Sequence, residues 1–237
     1  MNTAESIAAF SAILLAALSA QAQSFQNLDF EEANPVVIQG NAYYPYAVTP
    51  ASALPGWTAY IGSTTVSFVL LNDVSLEAAS IDLLSADDPN GPDAIDGNYS
   101  AYLQPGTSLQ GTGSYTASIV QTGLIPANAE SLTFAAWQPM YATPFTVSFA
   151  GFTLTPVVLS TAVDPSGLTY DVYGVNIAPY AGETGQLEFT VYPNNYNSLL
   201  LDDIQFSSAA LSPEPSPVAL SAVGGLLCGA RMWLKRH

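Results

Sequence analysis

Ten short segments, each apolar or alternating between apolar and polar residues, follow one another between residues 56 and 207. Turn residues separate them, and no amphipathic helix interrupts the series. This pattern is typical of β-strands, and Ala150-Gly151 predicts a tight hairpin inside one segment. The sequence therefore predicts an all-β fold, a single antiparallel β-sandwich or jelly roll. The segments are 56–62, 65–72, 79–85, 98–104, 115–123, 130–138, 145–159, 168–177, 185–192 and 197–207.

All the basic side chains lie in the last seven residues, as Arg231, Lys235, Arg236 and His237. The chain carries 19 acidic residues and a net charge of −16. Proteins bind phosphate backbones and anionic surfaces through cations, so we expect no nucleic-acid partner, and neutral ligands or cations remain. Without a histidine before residue 237, a Ser-His-Asp triad and a histidine-bound zinc site are both excluded there. We therefore expect no enzyme, and a carboxylate pair is the remaining catalytic option.

The N-terminal segment 1–22 predicts a signal peptide. An apolar run extends from Ile7 to Leu18, and Ala20-Gln21-Ala22 then supplies the small-x-small pattern that precedes cleavage. The alternative is a buried amphipathic helix, although no polar helical face is visible. Residues 23–211 are then the exported β-domain.

The C-terminal segment 212–237 predicts a membrane helix with a basic end. Residues 218–230 carry no charge, and a spanning helix needs about 20 residues, so this one is short unless Arg231 snorkels. The basic residues would hold the tail on the cytoplasmic side. The motif elements are Pro213, Glu214 and Pro215 before the helix, and Arg231, Lys235 and Arg236 at its end.

This tail resembles the PEP-CTERM sorting signal of exported bacterial proteins, over about the last 25 residues of the sequence. The resemblance implies that an exosortase-type membrane enzyme recognises the tail and removes it. The protein would be anchored in the membrane only transiently before its release to the envelope surface or extracellular matrix. An ordinary C-terminal membrane anchor is the alternative.

The two ends of the β-domain carry a second resemblance. "NLDFEEAN" (27–34) opens it and "LLLDDIQFS" (199–207) closes it, with "LPGWTAY" (54–60) and "DGNYSAYLQ" (96–104) between them. Their order is similar to that of galactose-binding-like jelly rolls, which include carbohydrate-binding modules. The resemblance implies that the first and last strands lie together and share a structural calcium. By position, the ligands would be Glu31 and either Asp202 or Asp203.

Strand alternation supports part of this calcium hypothesis. Asp202 shares parity with Ile204 and Phe206, and so faces the core if they do. A buried carboxylate needs a partner, and a hard cation with oxygen ligands is a candidate where no basic side chain exists. On the first strand, alternation favours Glu32 over Glu31, so that ligand stays open. The alternative is that both acidic pairs face water.

The segment 85–100 concentrates four further acids. Its Asn90-Gly91 and Asp96-Gly97 pairs favour a solvated loop with turns, and the alternative is an irregular calcium loop. The acids are Asp87, Asp88, Asp93 and Asp96.

Aromatic residues suggest sugar binding. Tyr43, Tyr44 and Tyr46 lie in a Pro-interrupted loop, where their rings could stack on sugar faces. We expect Trp57 and Trp137 in the core instead. Together these features predict an exported, non-catalytic surface or matrix protein that binds neutral polysaccharide. The alternatives are a purely structural biofilm or envelope component and a carboxylate-dependent glycan-active enzyme.

Overall fold

A computed structural model describes most of the predicted β-domain. The predicted signal segment 1–22 and the tail 212–237 lie outside the described residues. No helix in the described part of the chain is long and apolar enough to span a membrane. The described ranges are 23–38, 46–74, 78–88, 93–107, 113–138, 145–193 and 198–211.

β-Structure accounts for 53% of the described residues, which confirms the all-β prediction. Helix is limited to α1 (Pro50–Ala53) and a 3-10 turn at Ala178–Tyr180. The strands in chain order are β1 (Ala47–Val48), β2 (Thr58–Ile61), β3 (Thr64–Thr65), β4 (Val69–Leu71), β5 (Ser80–Ser85), β6 (Tyr99–Gln104), β7 (Gly106–Thr107), β8 (Ser114–Tyr115), β9 (Ala117–Leu124), β10 (Ser131–Trp137), β11 (Phe145–Phe149), β12 (Phe152–Leu154), β13 (Val157–Val163), β14 (Thr169–Asn176), β15 (Thr184–Val191) and β16 (Leu199–Ser207).

Two large sheets make up the domain. The larger has the order β1-β4-β5-β6-β16-β10-β14-β13, and the smaller has the order β12-β11-β15-β9-β2-β3. A two-stranded ribbon, β7-β8, accompanies them. All strand pairs are antiparallel except β4 and β5, which are parallel, so the prediction of a purely antiparallel domain is wrong at this pair.

Side chains from both sheets form one hydrophobic core, as expected for a β-sandwich. Phe134 of β10 stacks on Tyr173 of β14 at a centroid distance of 5.4 Å, and packs edge-on against Phe189 of β15 at 5.2 Å. Trp57, which precedes β2, is buried in this core, and its ring nitrogen donates to the Asn27 carbonyl at 2.9 Å. Trp57 is therefore a core residue, as predicted.

The opposite face of the larger sheet carries a second, smaller apolar cluster, which we call the outer cluster. Strand alternation separates it from the core, since Leu83 lies in the core while Leu84 does not. Its buried members are Leu84, Ile95, Tyr102, Ala135 and Leu200.

A bulge in β16 changes which face its side chains take. Leu201 and Ile204 both enter the core, although strict alternation would put them on opposite faces. The pairing with β10 shifts register here, and Asp203 has a φ of +49°. Asp202 therefore lies on the outer face, and the expectation that it shares a face with Ile204 and Phe206 is wrong. The extra residue of the bulge inverts the alternation.

Candidate functional site

The opening segment of the domain lies beside the last strand, as the resemblance implied. The Ile204 amide donates to the Leu28 carbonyl at 3.0 Å. The segment 28–32 forms turns, however, and not the expected strand. Phe30 has a φ of +58° and is fully buried, which breaks the alternation that favoured Glu32.

Glu31 holds the loop before β6 through three hydrogen bonds. Its Oε1 accepts from the backbone amides of Asn98 at 2.6 Å and Tyr99 at 2.9 Å. Its Oε2 accepts from the Asn98 side-chain amide at 2.7 Å. Gly97 has a φ of +60°, and a Cβ there would come within 2.5 Å of Oε1. The Asp96-Gly97 turn predicted from the sequence therefore leaves room for the Glu31 carboxylate, because Gly97 has no side chain.

Asp202 holds the same loop from the outer face of the larger sheet. Its Oδ2 accepts from the Asp96 amide at 3.1 Å and from the Ser100 hydroxyl, and its Oδ1 accepts from the Asp203 amide at 2.7 Å. The Ile95 amide donates in turn to the Ser100 hydroxyl at 2.8 Å. Burial raises the pKa of Asp202 to about 7, against the opposing effect of these three donors.

These contacts bear on the calcium hypothesis. Hydrogen-bond donors supply the partners of Glu31 and Asp202, while Asp203 accepts from the Gln205 side-chain amide. In the described part of the chain, no group of three or more His, Cys, Asp or Glu side chains is arranged to hold a metal ion. Calcium binding by these three acids therefore stays a prediction, and the oxygens in this arrangement are directed at N–H and O–H groups instead.

The predicted tyrosine loop lies only partly within the described residues. Tyr43 and Tyr44 fall outside them. Tyr46 lies directly before β1 and is 57% exposed. Its carbonyl accepts from the Leu71 amide at 3.1 Å, which fixes its backbone at the edge of the larger sheet.

Trp137 differs from its predicted place in the core. It lies at the end of β10, is only half-buried, and packs against the outer cluster together with Tyr170 of β14. Ala136 pairs with Asp171, so the same register places Trp137 and Tyr170 at neighbouring positions on the outer face. We call these two residues the aromatic shelf. Tyr170 was not predicted as a site residue, because its place opposite Trp137 depends on strand pairing, which local sequence does not reveal.

Four carboxylates lie close enough to Tyr170 for their charges to act on its hydroxyl. Partial burial and the negative charges of Asp96, Asp203, Asp164 and Asp202 all raise the pKa of this tyrosine. Asp96 is exposed and Asp203 is half-buried, so both present oxygens beside the shelf. The shelf thus combines aromatic surface with hydrogen-bond acceptors.

Asp82 is a fully buried acid that was not predicted as a site residue. It lies in the centre of β5 on the outer face, opposite Tyr102 of β6. Its Oδ2 accepts from the Ser80 hydroxyl at 2.7 Å, whereas its Oδ1 has no hydrogen-bond partner in the described residues. Burial raises the pKa of Asp82 to about 8, and the charge of Asp73 adds to this effect. The signal in the sequence was an acid within the apolar strand "SIDLLS".

No protein-family model matches this chain, and no curated protein matches it. Among solved structures, it aligns with the enzymatically active domain of tailspike protein 4 of bacteriophage CBA120, with a TM-score of 0.40 and 12% identity, over 80% of this chain and 22% of the tailspike chain.

Two other solved structures align at a similar level. TmCBM61 in complex with β-1,4-galactotriose gives a TM-score of 0.38 at 10% identity, over 78% of this chain and 99% of that one. The cleaved adhesin domain of Lys-gingipain from Porphyromonas gingivalis gives 0.35 at 15% identity, over 67% and 92%. All these TM-scores are below 0.5, so the proposed function rests on the residues of this chain.

Proposed function

We propose that this protein is a non-catalytic surface or matrix protein that binds neutral polysaccharide on the outer face of its larger sheet. The aromatic shelf is the main observation that supports this proposal. Trp137 and Tyr170 are neighbours on one face and are only half-buried, so their rings can pack against the apolar face of a sugar. Asp96 and Asp203 lie beside them to accept hydrogen bonds from sugar hydroxyls.

The charge of the domain supports a neutral ligand. Residues 23–211 contain no Lys, Arg or His, so an acidic glycan would meet only repulsion. Tyr46 offers a second exposed ring at a distant edge strand, and it remains a candidate contact together with Tyr43 and Tyr44.

Two acids with raised pKa values, Asp82 and Asp202, are buried, and their burial supports a non-catalytic role. A glycan-active enzyme needs a carboxylic acid with a raised pKa that can reach its substrate. Burial raises the pKa of Asp82 and of Asp202, but the two residues are 0% and 1% exposed. Both carboxyl groups are shielded from solvent, so neither can touch a polysaccharide in this arrangement.

Affinity electrophoresis of the full chain in gels that contain neutral polysaccharides tests this function. We expect at least one neutral polysaccharide to retard the protein. Trp137→Ala and Tyr170→Ala should each weaken the retardation by several-fold to about tenfold, because each removes a stacking surface. Tyr192→Ala is the matched control, since Tyr192 is an exposed tyrosine elsewhere, and it should migrate like the parent.

The alternative functions predict different results in this electrophoresis experiment. A purely structural component would migrate equally with and without every polysaccharide. Binding that Tyr46→Ala abolishes but Trp137→Ala leaves intact would move the site to the tyrosine loop. Shortened polysaccharide products after incubation would instead identify a glycan-active enzyme.

We further propose export with processing at both ends, by a signal peptidase after residue 22 and by an exosortase-type enzyme at Pro213-Glu214-Pro215. The sequence motifs of the two ends support this route. Intact mass of protein recovered from the native host, with cell surface and medium measured separately, tests it. A product that starts near Gln23 and ends between Pro213 and Ser216 is expected. A product that retains the tail would indicate an ordinary membrane anchor.

A further inference from the structure

Strand β13 forms an exposed edge of the larger sheet. It pairs with β14 on one side, and no described residue pairs with its other side. Its seven residues, "VVLSTAV", contain no charge and no proline. Val157, Val158 and Val163 are 43%, 54% and 63% exposed. Unpaired backbone groups along such a strand are a template for another strand.

The other described sheet edges are covered or short. Val37 bridges to Val48 beside β1, and β3 and β12 have only two and three residues, whereas β13 has seven. Proteins usually protect long edges with lysines, prolines or bulges. β13 has only a bulge between Val158 and Ser160, which leaves the portion 160–163 regular. It is therefore the described edge best suited to pairing.

The neighbouring edge of the smaller sheet extends the apolar surface. Phe145 of β11 contacts Tyr173 of β14 at a centroid distance of 5.3 Å, so the next strands outward, β12 and β13, lie along the same side of the domain. Phe152 of β12 is 63% exposed there. Four of the exposed large apolar residues in the described chain thus lie within residues 152–163.

We propose that β13 pairs with β13 of a second copy of this chain, antiparallel and about a two-fold axis. The charge of the chain favours a second copy of itself as the partner of β13. Each copy has a net charge of −16, so contact between acidic surfaces would be repulsive. A strand paired with itself between residues 157 and 163 sets only uncharged side chains against each other.

The nearest acids are held within their own sheet. Asp164 is buried and accepts from the Leu168 amide at 2.8 Å, while Asp171 accepts from the Thr161 hydroxyl at 2.6 Å. Neither acid therefore projects freely from the edge. The pairing goes beyond polysaccharide binding, since it would join two aromatic shelves in one particle and increase avidity for a repeating polymer.

Sedimentation velocity of the full chain over a dilution series tests the proposal. We expect a monomer–dimer equilibrium. Val158→Lys combined with Val163→Lys should weaken dimerisation by about tenfold or more, because it brings like charges together at the paired edge. The control combines Val36→Lys with Val37→Lys, which are similarly exposed at 53% and 58% and make the same change in net charge. The control should dimerise like the parent.

Amide hydrogen exchange identifies the paired segment. Exchange at residues 157–163 should slow as the protein concentration rises, and the lysine variant should lose this effect. A chain that is monomeric at every concentration would overturn the proposal, as would a lysine variant that dimerises like the parent. Slow exchange at 157–163 at all concentrations would also overturn it, since the edge would then be covered within the chain, for example by residues 212–237.

Discussion

Glu31 and Asp202 lie near opposite ends of the domain's sequence and hold the same loop at two points. Glu31 accepts from the Asn98 amide at 2.6 Å, and Asp202 accepts from the Asp96 amide at 3.1 Å. One carboxylate is half-buried and the other is fully buried. The loop between them carries Asp96, which lies beside the aromatic shelf, so this pair of contacts positions one wall of the proposed binding face.

Loss of the Glu31 carboxylate should destabilise the domain. Glu31→Ala removes three charge-assisted hydrogen bonds from a partly exposed site, and we expect the free energy of unfolding to fall by roughly 1–2 kcal/mol. Urea denaturation measures this change. Glu32→Ala is the control, because Glu32 is an exposed neighbour and should cost less than about 0.5 kcal/mol. Equal losses in both variants would contradict the anchoring role of Glu31.

Gly97 should tolerate alanine much less well than Gly151. Both have positive φ values, +60° and +81°, so alanine strains the backbone at either position. At Gly97 the new methyl group would also meet the Glu31 carboxylate at 2.5 Å, whereas at Gly151 nothing lies within 4 Å. We expect Gly151→Ala to cost about 1 kcal/mol and Gly97→Ala about 1–2 kcal/mol more, from thermal or urea unfolding. Similar costs would mean that Glu31 moves aside freely.

The sequence allowed most strands to be predicted, because alternation and turn residues are local signals. Eight of the ten segments contain one main strand close to the predicted limits, and 145–159 contains the β11-β12 hairpin but ends inside β13. The segment 65–72 instead divides between β3 and β4. The parallel pairing of β4 with β5 could not be predicted from these local signals. Pairing partners are set by packing over long distances.

The site was harder to predict, because two local backbone features decide it. The positive φ of Phe30 turns Glu31 toward the loop, and the bulge at Asp203 moves Asp202 to the outer face. A single extra residue moves the side chains that follow it to the opposite face of the sheet, and the alternation of the sequence does not reveal such a bulge. Asp202 is buried, but on the outer face and not in the predicted core position, and two backbone amides and a hydroxyl donate to it.

The hairpin between β11 and β12 offers a stabilising substitution. Ala150 and Gly151 form the predicted tight turn, with φ values of +50° and +81°. Alanine is strained at a positive φ, and glycine is not. Ala150→Gly should therefore raise the free energy of unfolding by about 0.5–1 kcal/mol, as measured by urea denaturation. A decrease would indicate that the loss of chain entropy on folding outweighs the relief of strain.

Chelation of calcium should leave the domain stable. Glu31 and Asp202 accept hydrogen bonds from the protein on both of their oxygens, so neither needs a cation in this arrangement. We expect the same melting temperature in EDTA and in excess calcium, by calorimetry. A large drop in EDTA that Glu31→Ala or Asp202→Asn abolishes would instead establish the predicted calcium site.

The stability of the domain should fall as the pH rises from about 4 to 8. Burial raises the pKa of Asp82 from 3.8 to about 8 and that of Asp202 from 3.8 to about 7. Between the unfolded and folded pKa values, the folded state binds the proton and the unfolded state does not, so raising the pH favours unfolding. Each group then contributes a loss of roughly 1.4 kcal/mol per pH unit across its own window.

Asp82→Asn separates the two contributions to this pH dependence. An amide at residue 82 is neutral at every pH, and its oxygen can still accept from the Ser80 hydroxyl. Urea denaturation at a series of pH values should therefore show a shallower decline for Asp82→Asn, with the remaining slope below pH 7 due to Asp202. Most of the gain over the parent should appear near pH 8, where the parent must ionise a buried carboxyl. Parallel curves for the parent and the variant would show that Asp82 is already ionised in the folded protein at neutral pH.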